Sequence, residues 1–120
     1  MINIMTTDLG TVYMDENALA KMAGNIATKC YGVVGMVYRS KRDGLVSLLK
    51  RDKMGKGIQV RMEEGEICIA LHIMVEYGVN IGAVSESIVK HVKYQMEENT
   101  GLAIREVTVH VESIRAKGVK

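Results

Sequence analysis

Between Glu66 and Glu76 the chain reads Ile-Cys-Ile-Ala-Leu-His-Ile-Met-Val. Ile67, Ile69, Leu71, Ile73 and Val75 recur at every second position, the period of a strand. The alternate positions hold Cys68, Ala70, His72 and Met74, so the second face is also mostly apolar. A strand apolar on both faces belongs at the centre of a sheet. The rest of the chain must therefore supply neighbours for its edges and a layer for its faces. The run spans about 9 residues, well short of the roughly 20 that a membrane-spanning helix needs.

Two helices are available to cover it. Leu19, Met22, Ala23, Ile26, Ala27 and Cys30 form one apolar stripe after Asp15, whose carboxylate suits an N-cap. Ile81, Val84, Ile88, Val92 and Met96 form a second stripe after Asn80, and Gly101 suits its C-terminal cap. Gly10–Met14, Val33–Tyr38, Ile58–Met62 and Val107–Val111 read as further strands, with Glu64-Gly65 as a turn. The expected fold is α+β, with two long helices packed on one face of a mostly antiparallel four- to five-stranded sheet. One domain over residues 1–120 is expected, with a short basic insert at 39–57 and a frayed tail at 115–120.

The insert is where charge enters the argument. Residues 39–57 carry seven basic and two acidic side chains, net +5. Residues 1–38 carry two basic and three acidic groups and residues 58–120 seven and nine, so the net charge of +2 hides one basic segment. Its cations are Arg39, Lys41, Arg42, Lys50, Arg51, Lys53 and Lys56. They suit an acidic protein face, lipid headgroups or nucleic-acid phosphates. Leu45, Leu48 and Leu49 are expected to seat the segment as a short amphipathic helix, with Gly55 and Gly57 as a flexible exit. The chain has no Phe and no Trp, which disfavours recognition of nucleic acid by base stacking.

The strand-to-helix corner Tyr77, Gly78 and Asn80 is a second candidate recognition edge. His72 and His110 are read as two separate histidines with no metal role. The alternative is a metal or proton-linked pair, with Glu112 or Glu76 beside it, if their strands lie in the right register. His91 is read as a helix-flank residue. Cys30 and Cys68 are read as reduced core thiols, and no Cys/His spacing matches a zinc motif. No serine stands in a Gly-x-Ser-x-Gly setting, and Gly55-Lys56-Gly57 lacks the other elements of a phosphate loop. No catalytic constellation and no cofactor motif is present, so an enzyme is not expected. The N-terminus lacks the basic and apolar regions of a signal peptide.

Several segments, in order, resemble one family. They are Gly10-Thr-Val-Tyr-Met-Asp15, Ala23-Gly-Asn-Ile-Ala27, Tyr31-Gly-Val-Val-Gly35, Lys56-Gly-Ile-Gln-Val60, Val75-Glu-Tyr-Gly-Val-Asn-Ile81, Glu98-Asn-Thr-Gly-Leu102 and Val107-Thr-Val-His-Val111. Together they resemble the alkaline shock protein family, envelope stress response proteins of Gram-positive bacteria. Gly82 stands where that family commonly has proline, and Thr108 where it commonly has asparagine. The resemblance implies a small cytoplasmic non-enzyme serving cell-envelope homeostasis, peripheral to the membrane through a partner. It implies a protein partner, either membrane-anchored or a dihydroxyacetone-kinase-like fatty acid kinase. Self-association through an exposed sheet edge is a further expectation. A small nucleic-acid-binding module using residues 39–57 is the alternative.

Overall fold

A computed structural model describes residues 2–39, 46–49 and 56–116. The elements run β1 (Ile2–Thr7), β2 (Gly10–Met14), α1 (Glu16–Thr28), β3 (Val33–Arg39), β4 (Val46–Leu48), β5 (Ile58–Glu63), β6 (Glu66–Glu76), α2 (Ile81–Thr100) and β7 (Ile104–Arg115). The strand with two apolar faces is β6, and every strand of the main sheet except β4 pairs with it. β5 and β3 lie antiparallel along successive lengths of one edge of β6. β7 runs parallel along the other edge, from Ile67↔Ile104 to Glu76↔Arg115.

The expected architecture of two long helices on a mostly antiparallel sheet is corrected here. Strand dominates the described residues, with seven strands in two sheets among them. Of the two helices described, α2 is long, at 20 residues, whereas α1 has 13. β1 and β2 form a separate two-stranded sheet. The most extended strand pairing, β6 with β7, is parallel. The reason is connectivity: β6, α2 and β7 form a crossover unit, and a strand returning beside its predecessor through a helix must run parallel to it.

Burial explains the layers. Ile67, Ile69, Leu71, Ile73 and Val75 face the helices with at most 1% exposure. They meet Leu19, Ala23 and Ala27 of α1 and Val84, Ile88, Val92 and Met96 of α2. The Asp15 carboxylate accepts from the Asn17 N–H at 3.0 Å and caps α1. The helix α2 ends on Gly101 at φ 74°, whose N–H donates to the Glu97 carbonyl. Glu97 turns its carboxylate back towards the next strand, where Oε2 accepts from the Ile104 N–H at 3.2 Å.

Three further expectations change. Leu48 does not sit on a helix: Val46–Leu48 is an edge strand antiparallel to β3, and the Leu49 N–H donates to the Met36 carbonyl at 2.9 Å. Gly57 is not a loose exit. It is buried, and an added Cβ would lie 2.7 Å from the Val37 carbonyl oxygen. Arg115, expected to be frayed, is the last residue of β7, and its carbonyl accepts from the Tyr77 N–H at 2.8 Å.

Candidate functional site

The helices cover only one face of the sheet. Cys68, Ala70, His72 and Met74 of β6 point to the other, next to Glu106, Thr108 and His110 of β7. His72 and His110 are direct partners across the parallel pair. Their rings stack with centroids 4.5 Å apart and planes 8° from parallel. Reading the two histidines as unrelated is therefore corrected.

Glu112 completes the group. Ile73 pairs with Val111 and Met74 with Ser113, so Glu112 is the extra residue of a β-bulge. Bulges re-aim side chains, and this one sets Glu112 Oε1 3.0 Å from His72 Nδ1. Both side chains are about a fifth to a quarter exposed, at 26% and 18%. Glu76, the other carboxylate considered, lies at the end of β6 and pairs with Arg115.

A groove of about 210 Å³ runs along this face from Arg61 past Cys68 and Glu106 to His110. Arg61 reaches Glu63 at 3.4 Å and Glu106 at 3.9 Å. The Cys68 thiol donates to Glu63 Oε2 at 3.3 Å. Burial raises the Cys68 pKa, the Glu63 carboxylate adds to the rise, and Arg61 opposes it. Burial alone raises that of Cys30. Neither thiol is tuned to be a nucleophile at neutral pH.

A larger groove, about 490 Å³, lies between α1 and α2 and is lined by Lys29, Cys30, Ser87 and His91 among others. Ser87 and His91 sit one turn apart, but this is not a nucleophile and its base. His91 Nδ1 is 3.0 Å from the Ser87 carbonyl oxygen and 3.5 Å from its hydroxyl. The nearer partner is an acceptor, so Nδ1 carries the proton there and offers no lone pair to the hydroxyl.

At the strand-to-helix corner, Gly78 has φ +94° in open space, so backbone conformation alone calls for glycine. Asn80 Oδ1 accepts from the Ala83 N–H at 3.0 Å and caps α2. Tyr77 is 72% exposed beside them. Of the basic segment, Arg39 ends β3 and Lys56 is exposed. Lys41, Arg42, Lys50, Arg51 and Lys53 lie outside the described residues. The histidine–glutamate group is thus assembled from residues 72, 110 and 112. The sequence signal for the group is parity: all three residues sit on the second face of their strands.

No helix among the described residues is long and apolar enough to cross a membrane. In fold, the chain resembles a variant of MamM-CTD, with TM-score 0.51, 14% identity and coverage of 82% of this chain and 98% of that one. It resembles the copper form of MamM-CTD with TM-score 0.50, 16% identity and coverage of 86% and 89%. At these identities the likeness concerns fold alone. In sequence, it is 34% identical to the uncharacterized protein YloU of Bacillus subtilis over 92% of this chain and 93% of that one. It is 33% identical to the uncharacterized protein Spy1614 of Streptococcus pyogenes serotype M6, over 98% and 97%. Residues 4–116 match the alkaline shock protein 23 family, cell envelope-related function. The chain therefore belongs to the alkaline shock protein family, as the ordered motifs from Gly10 to Val111 imply.

Proposed function

We propose that this chain is a non-catalytic adaptor in cell-envelope homeostasis, acting in the cytoplasm by docking the acidic face of an envelope-linked protein. The favoured partner is a dihydroxyacetone-kinase-like fatty acid kinase; a membrane-anchored protein is the other arm of the test. Docking runs through the basic segment 39–57, with Tyr77, Gly78 and Asn80 as a second contact.

The observation that carries this reading is the position of β4. Residues 46–48 sit in the middle of the basic segment and are fastened to the sheet edge through β3. The segment is therefore tied to the body at Arg39, at its centre and at Gly57. The net charge of +5 that the sequence carries over residues 39–57 suits attraction to an acidic surface and faster encounter with it. Membership of an envelope-related family supports the setting.

The test is binding of the full chain to a purified kinase of that class, beside affinity capture from Gram-positive membranes. The triple variant Lys50→Gln, Arg51→Gln, Lys53→Gln is expected to bind at least about tenfold more weakly, and wild-type binding to weaken with salt. Failure to bind the kinase or to recover any membrane protein overturns the proposal. Salt-dependent RNA binding abolished by the same triple variant reassigns the segment to nucleic acid.

A further inference from the structure

The adaptor reading makes no use of the open face. We propose that His72, His110 and Glu112 form a site for one divalent transition-metal cation of the zinc class.

The donor set comes first. Two imidazole nitrogens and one carboxylate oxygen suit zinc and its first-row neighbours; calcium and magnesium prefer oxygen alone. Three protein ligands with the remaining position left to water is a common arrangement for a zinc ion. The open face gives water that access.

Distances come second. One ligand atom from each of the three residues lies within 4.8 Å of the other two. The closest pair, His72 Nδ1 and Glu112 Oε1, is separated by 3.0 Å. Donors bound at about 2.0–2.1 Å stand roughly 2.9–3.4 Å apart across octahedral or tetrahedral angles. His72 and Glu112 are thus already spaced as neighbours in one coordination sphere. His110 is exposed and closes the remaining distance by rotating its side chain.

Rigidity comes third. The ligands come from strand positions in register, and the bulge fixes the third. Nothing in the core requires this grouping, since His110 covers no buried surface of the helix layer. A cation entering between His72 Nδ1 and Glu112 Oε1 takes the place of the hydrogen bond that joins them. Bound metal ties β6 to β7 at one point along their parallel edge. Cys68 lies four residues before His72 on the same face, but its thiol is engaged with Glu63 and is kept protonated by burial. The site is accordingly one of nitrogen and oxygen.

The test uses the full chain without a histidine tag and zinc chloride alone, followed by calorimetry and thermal melting at pH 7.5. Wild type is expected to bind one zinc per chain and to melt higher with zinc. His72→Ala, His110→Ala and Glu112→Gln are each expected to lose about tenfold or more in affinity. His91→Ala and Cys68→Ser should bind as wild type does. Should His72→Ala fail to fold, the exposed His110→Ala decides the matter. Cobalt in place of zinc should give visible bands that vanish in the same variants. Equal binding by wild type and His110→Ala, or loss on Cys68→Ser alone, overturns the proposal. It stands or falls independently of the kinase-binding assay, because none of its residues lies in the basic segment.

Discussion

Glu97 and Ile104 close the turn that joins α2 to β7. The Glu97 carboxylate accepts from the Ile104 N–H at 3.2 Å, and the Glu97 carbonyl accepts from the Gly101 N–H at 2.9 Å. One residue thereby fixes where the helix stops and where the parallel strand begins. Ile104 is buried, so its amide has no cheap alternative partner.

Replacing that carboxylate should therefore cost more than an exposed helix position allows. Glu97→Ala is expected to destabilise the fold by about 1–3 kcal/mol, the range for stranding a buried donor. Glu97→Gln keeps an acceptor oxygen and should lose less than half as much. Urea unfolding of the two variants separates them.

Gly57 makes a different kind of demand. A Cβ there meets the Val37 carbonyl oxygen at 2.7 Å, a backbone atom that cannot rotate away. Gly57→Ala should lower stability by about 1–3 kcal/mol by forcing β3 and β5 apart. Gly65→Ala sits in open space but at φ +81°, so its smaller loss reports backbone strain alone. Thermal melting of both distinguishes crowding from strain.

The cap on α2 is testable at Asn80. Asn80→Ala removes the acceptor for the Ala83 N–H and should cost about 1 kcal/mol. Asn80→Asp should retain most of the stability. If Tyr77–Asn80 also contacts a partner, Tyr77→Ala weakens binding while leaving the melting temperature unchanged, because Tyr77 is largely exposed.

Alkaline pH probes the thiols. Burial raises the pKa of both Cys30 and Cys68. The unfolded chain, with thiols near their ordinary value of about 8.5, loses those protons first. The stabilisation is thus complete below the unfolded thiol range and is lost as pH rises through the higher folded values. Unfolding free energy should fall across that alkaline window, and the double variant Cys30→Ser, Cys68→Ser should flatten the slope. Native alkylation should also be slower than that of free cysteine.

Much of this could be read from local pattern. Period-two alternation marks β6, helical stripes and polar caps mark α1 and α2, and Gly101 marks a helix end, because each depends on neighbours in sequence. What escaped depends on distant neighbours. Ile2–Thr7 is the exception: it pairs with the adjacent β2, but its apolar residues Ile2, Ile4 and Met5 do not keep the strict period of a strand. Gly57 looks permissive until the Val37 carbonyl arrives beside it. Glu112 lies on the same strand face as His110 by parity, but only the bulge brings it to His72. The parallel register that joins His72 to His110 is set by a 20-residue helix crossing between their strands.

That crossing also orders events in time. β5 and β6 are joined by the Glu64-Gly65 turn and can zip together as a hairpin, an event of about 1–10 μs. β7 must wait for α2 to form and swing across the sheet, since closing longer loops costs more entropy before any contact is gained. During that interval the most apolar strand of the chain has one edge bare. The slow step of folding, and the window in which a chaperone or a neighbouring nascent chain competes for β6, are expected between completion of the hairpin and arrival of β7.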